Sequence, residues 1–63
     1  MTEKESLYLE DAVEHEKSII KICNDISSKL TDEELISFIN NQISEHNNNL
    51  NSLISLIKEK ANG

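Results

Sequence analysis

The sequence predicts an all-α protein: an antiparallel two-helix hairpin that completes a four-helix bundle as a homodimer. Three observations carry this. Proline is absent and glycine occurs once, at position 63, so nothing breaks the chain strongly. Apolar residues recur at steps of three and four through two long segments, and no segment alternates apolar and polar residues as a strand would. The chain is also small. A domain of this length hides only about 60% of the surface its unfolded chain exposes. With one cysteine, Cys23, it has no internal disulfide to compensate. A second copy is the simplest source of the missing burial.

The first helix is expected from about residue 4 to 28. Thr2-Glu3-Lys4-Glu5 reads as a capping box, the threonine oxygen accepting from the third helical N–H while Glu5 reaches back. The turn is expected at 29–31. Thr31-Asp32-Glu33-Glu34 reads as a second capping box, with acids where the helix dipole favours them. The second helix then runs from about 32 to 60, and residues 1–63 form one helical-hairpin domain. This helix is intrinsically weak at Asn47-Asn48-Asn49 and Asn51, so packing of its apolar face must hold it.

The stripes have bundle width. The first contains Leu9, Ala12, Ile19, Cys23 and Ile26; the second contains Leu35, Ile39, Leu50, Leu53 and Ile57. Val13 and Ile20 widen one stripe; Phe38, Ile43, Ile54 and Leu56 widen the other. With the turn near Thr31, facing residues have numbers that add to roughly 62, given the common rise of both helices. Leu9 then meets Leu53, Cys23 meets Ile39, and Ile26 meets Ile36. A lone hairpin covers half of each stripe, and two hairpins face to face cover all four.

Charge excludes several functions. The formal net charge is −6, and arginine is absent. Residues 1–16 hold six acids against one lysine, leaving −5 there and −1 over the remainder. Nucleic-acid binders need clustered Lys and Arg, and one tyrosine and one phenylalanine make no stacking platform. No nucleic-acid partner is expected. An anionic membrane surface is disfavoured on the same ground, and no apolar run reaches the ~18 residues of a spanning helix. Met1-Thr2-Glu3-Lys4-Glu5 lacks the basic and apolar regions of a signal peptide, so a soluble cytoplasmic protein is expected.

Three polar residues interrupt the stripes: Glu16, Gln42 and His46. Glu16 and His46 fall at one level of the hairpin, and Gln42 lies one turn from His46. A carboxylate and an imidazole on facing helices are the donors a bundle uses to hold a transition metal. Two chains would bring four such donors to a single ion. The same residues also suit a structural pair that fixes helix register, or a stripe edge that reaches solvent. Cys23, mid-stripe, reads as a small buried hydrophobe rather than a nucleophile. His15 is placed to pair with Asp11 one turn back.

Leu7-Tyr8-Leu9-Glu10-Asp11-Ala12, followed by Glu16-Lys17, Ile20-Lys21 and Cys23, resembles the first helix of small ferritin-like proteins known as spore-coat proteins of anaerobic spore-forming bacteria. Leu30-Thr31-Asp32-Glu33-Glu34-Leu35 resembles their turn. His46 followed by Leu50 and Leu53 resembles their closing helix. Many members carry further histidines where this chain has Asn47-Asn48-Asn49. The resemblance covers about residues 7–57. It implies a dimerising ferritin-like hairpin and a place in the spore coat.

No nucleophile–base set, phosphate loop or Cys/His zinc pattern is present in the sequence. The expected function is therefore non-catalytic: a structural or interaction protein acting as a helical dimer, without a cofactor. Two alternatives stand beside it. One is a minimal ferritin-like binder of a single transition metal through Glu16 and His46 across the dimer. The other is a small acidic regulator that binds a protein partner.

Overall fold

The computed structural model describes residues 1–62 and has two helices, α1 (Glu3–Lys29) and α2 (Glu33–Asn62), packed antiparallel as a hairpin. Both expected helices form, and each is slightly longer than its sequence signals suggested. Gly63, the last residue of the expected domain, lies outside the described residues.

The start of α1 follows its sequence signal. The Glu5 backbone N–H donates to Thr2 Oγ1 at 3.1 Å, and the Thr2 N–H donates to Glu5 Oε1 at 2.7 Å. Two of the amide groups that a helix start leaves unpaired are thereby satisfied. α1 ends at Leu30, whose extended backbone leaves the helix while its N–H still reaches the Ser27 carbonyl at 3.4 Å. Lys29, in the last turn, complements the negative end of the helix dipole.

The second cap sits one residue later than its sequence suggests. Asp32, not Thr31, caps α2: its Oδ1 accepts from the Leu35 N–H at 3.0 Å. Aspartate is the better cap. The shift places Leu35 at the third helical position, where no side chain can complete a box. The turn is therefore 30–32, and among the described residues it needs no left-handed backbone.

α2 runs unbroken through Asn47, Asn48, Asn49 and Asn51, all exposed on its outer side. The half-buried Leu50, Leu53, Ile54 and Ile57 hold that stretch against α1. Along α1 the half-buried positions include Leu9, Ala12, Val13, Ile19, Ile20 and Cys23. Two members of the expected stripe lie off this seam. Ile26 is 41% exposed and Leu35 is 52% exposed. Their neighbours Ser27 and Ile36 take the seam positions, both half-buried. A step of three or four fixes a stripe's slope but not which residue sits at its centre.

The hairpin is a rod. Its Cα extents are 46 × 15 × 10 Å and its radius of gyration is 14.6 Å, against about 11 Å for a compact domain of this length. Among the described residues none is buried. The accessible surface is 4944 Å², and a folded monomer of this mass shows about 4,100 Å².

Two outcomes test the caps. Replacing Asp32 with alanine should cost about 1 kcal/mol of unfolding free energy, read by urea denaturation followed by circular dichroism. The backbone hydrogen bond from Thr2, and then the Thr2 side chain, hold the Glu5 carboxyl below its ordinary range. A depressed folded-state pKa means that its contribution is complete above the ordinary glutamate value and is lost as pH falls through the folded value. Glu5→Gln should therefore flatten the acid limb of helicity below the ordinary glutamate range. An identical acid limb in both proteins would remove Glu5 from the cap.

Candidate functional site

Glu16 and His46 meet at mid-height of the hairpin, almost equally far from the turn. His46 Nδ1 lies 2.6 Å from Glu16 Oε2, with the side chains 24% and 18% exposed respectively. An ionised carboxylate only accepts, so Nδ1 carries the hydrogen and donates it. This orients the ring and leaves Nε2 as the free nitrogen. The separation is short, as in hydrogen bonds to charged groups. Half-buried apolar residues flank the pair along the seam, Ile19 and Ile20 toward the turn and Leu50 and Leu53 away from it.

Gln42 is half-buried one turn away and, among the described residues, hydrogen-bonds neither partner. No three His, Cys, Asp or Glu side chains among the described residues converge as a metal-holding group. One hairpin thus offers two donors at this level. Cys23 is a free, half-buried thiol on the seam. His15 is exposed, and its expected ion pair with Asp11 is not formed among the described residues. Among the described residues the one exposed ion pair is Lys17–Glu14 at 3.5 Å, a contact of small weight in water.

The surface beside the seam is asymmetric, which sequence reasoning missed. Leu9, Cys23, Ser27, Ile36, Ile39 and Ile57 are all half-buried between the helices. The residues immediately before them are Tyr8, Ile22, Ile26, Leu35, Phe38 and Leu56, every one apolar or aromatic and exposed. The residues immediately after them are Glu10, Asn24, Ser28, Ser37, Asn40 and Lys58, every one polar. One residue turns a helix by about 100°. Because α1 and α2 run in opposite directions, a backward step on each turns to the same side of the hairpin. Beside these six positions the hairpin is thus apolar on one side and polar on the other, near the turn and at the open end, while between Phe38 and Leu56 the same line of α2 carries Gln42, Glu45, Asn49 and Ser52. Met1, Glu5, Leu9, Leu56 and Lys60 line a groove on the first side, and Val13, Ile54 and Ile57 with Glu10, Glu14, Lys17 and Lys58 line one on the other.

Comparison with family models, with curated proteins and with solved structures returns no match. No helix among the described residues is long and apolar enough to cross a membrane.

The Glu16–His46 contact makes a stability prediction. Removing either partner strands the other in a place with little water. Glu16→Ala and His46→Ala should each cost about 1–2 kcal/mol, and the double variant should cost less than their sum. Denaturation midpoints in urea check this. Simple additivity would mean that the two groups act independently.

Proposed function

We propose that the chain is a non-catalytic association module, a helical hairpin that works as half of a homodimeric four-helix bundle. The observation that carries this is the apolar face. Phe38 is 59% exposed, Ile22 56% and Tyr8 65%, beside a seam in which none of the described residues is buried. Apolar patches of this kind on a small chain mark an interaction surface. The surface in excess of a compact monomer is about 800 Å², which matches what each partner contributes to a standard stable interface, about 800 Å². Closing a second hairpin on this face would bury Ile26 and Leu35, the two stripe members outside the seam.

The resemblance of residues 7–57 to ferritin-like spore-coat proteins supplies a setting for such a module: assembly into the spore coat. Peripheral fluorescence of a tagged copy in sporulating cells supports that setting, and a diffuse mother-cell signal contradicts it.

The 2.6 Å contact favours a second reading. Two hairpins would bring two carboxylates and two imidazoles to one level, enough donors for a single transition-metal ion. In the first reading that level is a register-fixing polar pair in each copy. Elemental analysis of untagged dimer, with melting before and after chelation, separates them: a stoichiometric ion and a chelator-sensitive melt select the metal reading.

Sedimentation at micromolar concentration should give twice the chain mass of 7.2 kDa. Phe38→Asp should dissociate the dimer, removing about 3 kcal/mol of burial from its two copies. A wild-type monomer that melts cooperatively would contradict the association reading.

A further inference from the structure

We draw no further inference here: the strongest candidate, the exposed apolar patch at the turn end of the hairpin formed by Ile22, Ile26, Leu35 and Phe38, carries nothing beyond the association reading, because nothing in the structure shows what covers it or how a second copy would be oriented on it.

Discussion

Two antiparallel helices touch along one line, and each hides only the strip of surface that faces the other. With α1 and α2 of 27 and 30 residues, that strip is long but narrow. The rod shape, the half-burial of Leu9, Cys23, Ile39 and Ile57, and the absence of any buried residue among those described all follow from it. No disulfide relieves the constraint, since Cys23 stands alone. The sequence instead continues its apolar pattern past the seam on one side, through Tyr8, Ile22, Ile26, Leu35, Phe38 and Leu56. On the other side the residues after these seam positions are polar, while Leu7 and Ile54 extend the apolar pattern after Ser6 and Leu53. In the proposed bundle the surplus apolar strip is the surface that a second copy covers.

In the association reading the Glu16–His46 hydrogen bond has a different task. Apolar seams are tolerant of sliding, since Leu and Ile at steps of three and four accept several neighbours. A slide of one turn would set the Glu16 carboxylate against Ile43 or Leu50 and leave the imidazole without its acceptor. The cost of an unpaired polar group with little water around it, about 1–3 kcal/mol, exceeds what a shifted apolar contact gains. In the proposed module the pair would thereby pin the register on which the facing positions depend.

Much of this was legible in the sequence, and the reasons are physical. Thr2 and Glu5 announce the start of α1 because only that spacing satisfies two amides at once. Glu16 and His46 announced their contact by interrupting apolar stripes almost equally far from the turn. The second cap was misplaced by one residue, because Thr31 and Asp32 are both good caps and only the stronger acceptor wins. Ile26 and Leu35 belong to the expected stripe but stand outside the seam of the single hairpin, where Ser27 and Ile36 lie. The two sides of the seam looked alike in a list of steps. Telling them apart requires the handedness of the helix and the antiparallel chain direction together. Chemistry was the least legible part, since two donors in one chain fit both a structural pair and half of a metal site.

The central claim is that folding of this hairpin is coupled to covering its apolar face with a second copy. The melting temperature as a function of chain concentration tests it most directly, because a linked dimer gains stability by mass action. The account predicts a melting temperature that rises steadily over a hundredfold increase in concentration, with no folded monomer persisting at the dilute end. A melting temperature independent of concentration, with a cooperative transition throughout, would contradict it.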